Sequence, residues 1–159
     1  MHRAARRRLL VAAAGLLVLG VAGGVLYAVR SPDGIAAPAH VAACESPMTL
    51  MPQTVGRQPA GEVTVAEGTD HRDVRQWGDP AIIATCGWPA LGPTSEQCLD
   101  VDGVDWVAHE LTDGVRFTTF GRDPAIEVLV PDAYAPAPLL LPAFNPAARA
   151  LPQNARTCS

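Results

Sequence analysis

Apolar residues follow two different patterns along this chain. Twenty-one consecutive residues, Leu9 to Val29, carry no charge, whereas the later apolar segments are short and alternate with polar residues between glycines and prolines. At a rise of about 1.5 Å per residue, a helix over residues 9–29 is roughly 30 Å long, which equals the thickness of a bilayer's hydrocarbon core. The first pattern therefore predicts a transmembrane helix at residues 9–29, and the second predicts a folded domain after it.

The charges beside the apolar run predict its orientation. Four arginines precede it within residues 1–8, and a single arginine, Arg30, follows it directly. Because the more positive flank stays in the cytoplasm, we expect residues 1–8 to be the cytoplasmic N-terminus, residues 30–43 a flexible tether and residues 44–159 an extracytoplasmic domain. The protein is then a single-pass protein of the cytoplasmic membrane, and its partner through residues 9–29 is the lipid bilayer.

Two alternatives compete with an uncleaved signal anchor. Small residues at 37–39 and 41–43 suit a signal-peptide cleavage site, although the apolar run is longer than the usual 7–15 residues or so of such signals. Residues 41–44, Val-Ala-Ala-Cys, resemble a bacterial lipobox with Cys44 as the lipidated residue. In such signals the apolar run leads almost directly into the cysteine, whereas here a polar, proline-containing segment intervenes. We therefore expect the anchor to be retained.

The short alternating segments predict an antiparallel sheet. The apolar run at residues 81–85 predicts a buried strand between Gly-Asp-Pro and Gly-Trp-Pro breaks. Asp102-Gly103 is a favoured two-residue hairpin turn, and the segments at residues 115–120 and 125–130 predict a second hairpin. Alternation predicts that these strands turn three sets of residues inward: Val104, Trp106 and Ala108; Val115, Phe117 and Thr119; Ile126, Val128 and Val130.

Helical signals are weaker. Residues 46–56 predict a short helix that begins at Ser46 and ends or bends at Pro52, and residues 138–151 predict one short or kinked helix on the sheet. Residues 62–65 predict a short strand. The expected fold class is α+β: an N-terminal transmembrane helix followed by a small antiparallel-sheet domain of four or five strands with one or two packing helices, stabilised by disulfides.

The net charge of residues 31–159 argues against two classes of binding partner. Residues 1–30 contain five arginines and no acid, so the formal charge of −4 for the whole chain leaves −9 for residues 31–159. An acidic exported domain argues against nucleic acid or an anionic membrane surface as its partner.

Three blocks resemble a known family. The sequences WGDPAIIATCG, DGVDW and FTTFGRDPAIEVLVP, in this order and spacing, are similar to an actinobacterial family of single-pass envelope proteins catalogued as domain of unknown function 3515. The resemblance covers roughly residues 40–158. It implies a location in the cell envelope and a fold, and it offers no catalytic residues to transfer.

Four cysteines lie in the exported part, at positions 44, 86, 98 and 158. In an oxidising compartment this predicts two disulfides and no free thiol, with three possible pairings. A bridge between Cys86 and Cys98 closes a short loop between two predicted strands, which leaves Cys44 for Cys158; we expect this pairing. The spacing matches neither a redox Cys-x-x-Cys motif nor a zinc site.

The sequence offers few candidates for catalytic or metal-binding residues. His71 and His109 are the histidines beside carboxylates in the exported domain, but no nucleophile elbow or metal-binding histidine motif accompanies them, which favours surface histidines. The acids at 100, 102 and 105 faintly resemble a calcium loop, but their register favours a solvated hairpin turn. We expect no catalytic residue, no cofactor and no metal.

Three residues are candidates for a ligand or partner surface: Trp77, Trp88 and Arg122. Tryptophans in strands more often belong to the core, and Arg122 more often braces its own turn. We expect a membrane-anchored, non-catalytic binding or accessory protein of the cell envelope, whose partner is another envelope protein or component. The alternatives are an envelope hydrolase that uses His109 or His71, and a small-ligand binding module with an aromatic groove.

Overall fold

A six-stranded antiparallel sheet forms the frame of the folded domain. The computed structural model describes residues 37–65 and 70–158. No helix within these residues is long and apolar enough to cross a membrane. The transmembrane helix predicted at residues 9–29 lies outside the described residues.

All neighbouring strands pair antiparallel, but their order in the main sheet differs from their order along the chain. A two-stranded ribbon contains β1 (Thr54–Val55) and β2 (Gln58–Pro59). The main sheet within the described residues has the strand order β3-β4-β8-β7-β6-β5. Its strands are β3 (Val74–Trp77), β4 (Ile82–Trp88), β5 (Gln97–Val101), β6 (Val104–Glu110), β7 (Gly114–Thr119) and β8 (Ala125–Pro131).

Both predicted hairpins are present. The turn between β5 and β6 places Asp102 at φ 52° and Gly103 at φ 78°, the two positive values that this tight turn requires. The Asp100 carboxylate accepts a hydrogen bond from the Gly103 amide at 3.3 Å, so this acid stabilises the turn. The second hairpin pairs β7 with β8.

The sheet is larger than predicted. Four or five strands were expected, but β3 adds a sixth strand although its sequence, Val-Arg-Gln-Trp, is half polar. Residues 62–65, predicted to be a strand, belong to no strand. Instead, the Gly61 amide donates to the Gln76 carbonyl at 2.9 Å, so the chain just before that segment pairs with the outer edge of β3.

Short helices cover one face of the sheet. Helix α1 (Glu45–Thr49) follows a 3₁₀ turn at Ala42–Cys44, and it starts one residue before the predicted cap Ser46. The predicted C-terminal helix is a 3₁₀ helix at Ala137–Phe144 that continues into α2 (Asn145–Arg149), after a 3₁₀ turn at Asp132–Tyr134. Proline removes the amide that an α-helical hydrogen bond needs, so this proline-rich segment stays irregular.

We call the covered side of the sheet the core face. The inward sets predicted from alternation are confirmed: Val115 is half-buried, and the remaining eight residues are buried. Trp77 meets Phe144 edge to face, with ring centroids 5.3 Å apart, and donates from Nε1 to the Pro52 carbonyl at 3.0 Å. The Trp106 indole points at the Asn145 side chain, which in turn donates to the Val101 carbonyl at 2.9 Å.

The predicted disulfide pairing is wrong. The bridges join Cys44 to Cys86 and Cys98 to Cys158, and no cysteine is free. Three strands separate β4 from β5 in the sheet, so Cys86 and Cys98 lie about 19 Å apart at the usual spacing of about 4.8 Å per strand. They also point to opposite faces. Closeness in sequence misled the prediction because the loop between β4 and β5 crosses the whole sheet.

Candidate functional site

The face opposite the helices carries polar side chains in register, and we call it the outer face. One row of paired residues runs across all six strands of the main sheet. In spatial order it contains Val74, Thr85, Glu127, Thr118, Val107 and Cys98. Glu127 therefore lies in the middle of the sheet, between two threonines, where a carboxylate is unusual.

A second pair lies beside this row. His109 of β6 is directly opposite Arg116 of β7. Directly opposed side chains on one face have Cβ atoms about 5 Å apart, so these two basic groups are neighbours.

Trp88 is turned onto the outer face by an irregularity in β4. The register with β8 shifts between Cys86 and Trp88, with Gly87 as the additional residue at φ 109°. Such a bulge re-aims the next side chain, and glycine adopts this φ without strain. The Trp88 indole then donates from Nε1 to the Thr85 hydroxyl at 2.6 Å. The indole is thereby fixed beside the polar row.

Each basic group on this face has a carboxylate partner. His109 Nδ1 hydrogen bonds to Glu96 Oε1, and these two side chains are 43% and 40% exposed. Arg116 Nε lies 3.6 Å from Glu127 Oε2, too far for a good hydrogen bond. The first pair is therefore tight and open to water, and the second is loose.

Glu127 is electrostatically distinct. Its side chain is only 16% exposed, and burial raises the pKa of this carboxyl above its ordinary value of 4.5, against the opposing attraction of Arg116. Burial favours the neutral acid because the charged form loses its hydration.

Together these residues enclose an open cavity of about 380 Å³, which we call the outer-face groove. Its floor comes from the sheet and its wall from the loop after β4. The lining residues are Trp88, Pro89, Ala90, Leu91, Gly92, Glu96, Val107, His109, Arg116, Thr118 and Glu127. The volume lies within the range of about 300–1,000 Å³ typical of small-molecule sites.

The C-terminal segment supports the wall of the groove. Arg156 donates from Nη1 to the Leu91 carbonyl at 2.6 Å. The Cys98–Cys158 bridge ties the same segment to β5, and the Cys158 amide donates to Asp105 Oδ2 at 2.8 Å. The loop is therefore held from behind by residues distant in sequence.

The chemistry available here is recognition by hydrogen bonds beside an apolar wall. Carboxylates and a threonine hydroxyl accept, guanidinium and imidazole groups donate, and Trp88 and Leu91 supply apolar surface. Among residues 37–65 and 70–158, no three His, Cys, Asp or Glu side chains are placed to hold a metal ion.

The structure places the three predicted surface residues in different environments. Trp88 lines the groove, but Trp77 has no exposed surface and belongs to the core. Arg122 is 7% exposed and donates from Nη1 to the Leu151 carbonyl at 3.0 Å. Burial lowers the pKa of Arg122 from its ordinary value. Arg122 therefore stabilises the fold by its contact with the C-terminal segment, and not by a contact within its own turn.

The histidines are also distributed differently from expectation. His109 points outward as predicted, but the face on which it lies is not bare, because the loop after β4 stands over it. His71 is exposed and lies apart from the groove, near Arg72 and Asp73. His40, within the predicted tether, hydrogen bonds through Nδ1 to Oδ2 of the buried Asp73 at 2.7 Å.

Sequence reasoning missed Glu96, Arg116 and Glu127 as site residues. The signal was present, because Arg116 and Glu127 occupy outward positions of alternating strands, as His109 does. Which outward positions become neighbours depends on strand order and register, and the sequence does not give either.

The comparison with known proteins identifies the family of this chain. A family described as "Protein of unknown function (DUF3515)" matches residues 10–154, so the chain belongs to this family. No curated protein and no solved structure matches the chain.

Proposed function

We propose that this protein is a membrane-anchored extracytoplasmic binding module, which uses the outer-face groove to hold a component of the cell envelope without converting it. The observation that carries the proposal is the groove itself. One ion pair, a histidine–carboxylate hydrogen bond, a buried threonine and a fixed tryptophan converge on one open cavity of about 380 Å³ on the outer face of the sheet. A solvated face that served only for solubility has no need of a half-buried carboxylate at its centre.

The location is supported by charge and by cysteine chemistry. The apolar run at residues 9–29 follows four arginines, and all four cysteines of the chain form disulfides. Disulfides persist in oxidising compartments, which agrees with export of residues 44–159 across the cytoplasmic membrane.

Binding fits the geometry better than catalysis. Among the described residues, the hydrogen bond of His109 goes to Glu96, whereas activation of a nucleophile requires a hydrogen bond from the base to a hydroxyl or thiol. The guanidinium of Arg116 lies beside Glu127, whose carboxylate therefore has a cationic neighbour. Groups that already neutralise one another position a ligand well but offer no strong base.

One observation favours a hydrolase as the second candidate. Burial raises the pKa of Glu127, while Glu96 is an exposed partner of His109 in the same groove. Two carboxyl groups in unlike environments are the arrangement that acid–base hydrolysis uses.

The test is capture of an envelope component by the full-length anchored chain. Chemical cross-linking in native membranes should yield an adduct with wild type that the Arg116→Gln, Glu127→Gln double variant loses. Glu110→Gln is the matched control, because Glu110 is an exposed acid outside the groove. An adduct that persists at full yield in the double variant contradicts the proposal. Release of a cleavage product by wild type, abolished by His109→Gln, establishes the hydrolase instead.

A further inference from the structure

We propose that the ligand of the outer-face groove is a neutral, polyhydroxylated ring compound, a saccharide. This inference rests on the proposed function and specifies the class of ligand. It follows from three properties of the groove: the balance of its charges, the mixture of donors and acceptors, and the apolar wall.

The balance of charges disfavours a charged ligand. Each of the two basic side chains, His109 and Arg116, has a carboxylate beside it, from Glu96 and Glu127 respectively. An anionic ligand would meet both carboxylates, and a cationic ligand would meet the guanidinium. Like charges brought together in a partly buried site cost affinity, so a ligand without net charge is matched best.

The donors and acceptors alternate over a short distance. Thr118 and Glu127 are paired across β7 and β8, and Arg116 and His109 are paired across β7 and β6. A hydroxyl group donates one hydrogen bond and accepts others. Neighbouring hydroxyls on one ring can therefore donate to a carboxylate and accept from the guanidinium at the same time, which a hydrocarbon cannot do.

The apolar wall suits the other side of a sugar ring. Trp88, Pro89 and Leu91 form one boundary of the groove, and the buried Val107 lies in its floor. Aromatic and aliphatic surfaces beside convergent polar groups are what a small ligand with one apolar and one polar side requires. The Thr85 hydrogen bond fixes the indole before the ligand arrives, which lowers the entropy cost of binding.

The spectroscopic signals of Trp88 can be used to measure ligand binding in the groove. Trp77 and Trp106 have no exposed surface, whereas Trp88 is half-buried and lines the groove, so a ligand in the groove alters the emission and the indole NMR signal of Trp88 alone. The full-length chain in a detergent without sugar headgroups is titrated with three neutral trisaccharides, cellotriose, maltotriose and N,N′,N″-triacetylchitotriose. Trigalacturonate and the chitosan trimer serve as anionic and cationic probes of equal size.

We expect at least one neutral trisaccharide to shift the Trp88 signals saturably and more strongly than either charged trimer. Arg116→Gln and Glu127→Gln should each weaken binding about ten- to a hundredfold, the loss for one hydrogen bond to a charged group. Glu110→Gln should leave it unchanged. Trp88→Phe removes the emission change, and calorimetry then measures the remaining affinity.

Two results overturn the inference: a charged trimer that binds more tightly than all neutral ones, or no binding of any neutral trimer. Both leave the proposed function standing if the cross-linked adduct still depends on Arg116 and Glu127. Loss of that dependence, with trisaccharide binding intact, overturns the proposed function and leaves the ligand class correct.

Discussion

The two faces of the sheet are made by the same strands and differ in what lies over them. The core face is apolar and is covered by α1, α2 and the 3₁₀ helix at Ala137–Phe144. The outer face carries Glu127, Thr118, Arg116 and His109, and within the described residues the loop after β4 and the C-terminal segment form the wall beside it. The helices bury the apolar side chains of the core face, which stabilises the fold. The outer face is only partly covered, which leaves an open cavity there. The domain therefore separates the apolar face that stabilises its fold from the face that carries the outer-face groove.

The two disulfides follow the same division. Cys44 and Cys86 have no exposed surface and join the helical layer to the core face. Cys98 and Cys158 are half-buried and join the C-terminal segment to the outer face. One bridge is thus part of the core, and the other supports the wall of the groove.

The largest effect is expected on the core face. Phe144→Ala should lower the free energy of unfolding by about 3–5 kcal/mol, because it leaves a cavity beside Trp77 that neighbours fill only partly. Leu139→Ala, in the same 3₁₀ helix but 74% exposed, should change it by less than about 0.5 kcal/mol. Urea denaturation measures both. Similar losses for the two variants would show that the helical layer does not cover the core.

The next largest effect on stability is expected from loss of a disulfide. Either bridge closes a loop worth about 4 kcal/mol in the chain-entropy model, for sequence separations of 42 and 60. We expect the Cys44→Ala, Cys86→Ala variant to lose more stability than Cys98→Ser, Cys158→Ser, because only the first opens the core. A mild reductant should open Cys98–Cys158 first, because only that bridge reaches solvent.

Peptide mapping without reduction checks this pairing directly. It should link Cys44 to Cys86 and Cys98 to Cys158 in protein made in an oxidising compartment. A peptide that links Cys86 to Cys98 would contradict the strand order, since those residues lie four strand positions apart.

A smaller effect is expected at the bulge that aims Trp88. Gly87→Ala should cost about 1–3 kcal/mol, because φ is 109° and the added Cβ would lie 3.1 Å from Pro38. It should also shift the Trp88 emission. Gly92→Ala, in the same groove loop with nothing within 4 Å, is the control and should leave both unchanged. An unaltered Trp88 signal in Gly87→Ala would mean that the bulge does not orient the indole.

The smallest effect is a pH dependence from the outer face. Burial raises the pKa of Glu127 in the folded protein, so the folded state holds this proton more tightly than the unfolded state does. Its contribution to stability is complete below the ordinary pKa of about 4.5 and is lost as pH rises through the folded pKa. We therefore expect Glu127→Gln to flatten this part of the stability profile and to raise Tm slightly at neutral pH.

Thermal unfolding from pH 4 to pH 8 measures this effect, with Glu110→Gln as control. A Tm that rises with pH more steeply in wild type than in Glu127→Gln over this window would contradict the assignment. A more stable Glu127→Gln variant that binds ligand more weakly would be the usual trade between a binding site and stability.

The local sequence was sufficient to predict both hairpins. The Asp102-Gly103 turn adopts the predicted positive φ values, and alternation placed Trp106 and Phe117 on the core face. These features depend on neighbours within a few residues, so no tertiary information is required. The strand β3 was missed because its half-polar sequence is stabilised by pairing with β4 on one edge and with residues 60–61 on the other.

The sequence by itself determined the apolar run at residues 9–29, the acidic balance of residues 31–159, the family, and which residues of the two predicted hairpins face the core. Only the tertiary structure decided which residues of different strands become neighbours. Strand order brings Glu127 beside Thr118 and Arg116 beside His109, and it separates Cys86 from Cys98. The physical reason is that alternation is a property of one strand, whereas register and order are set by the packing of the whole sheet against its helices.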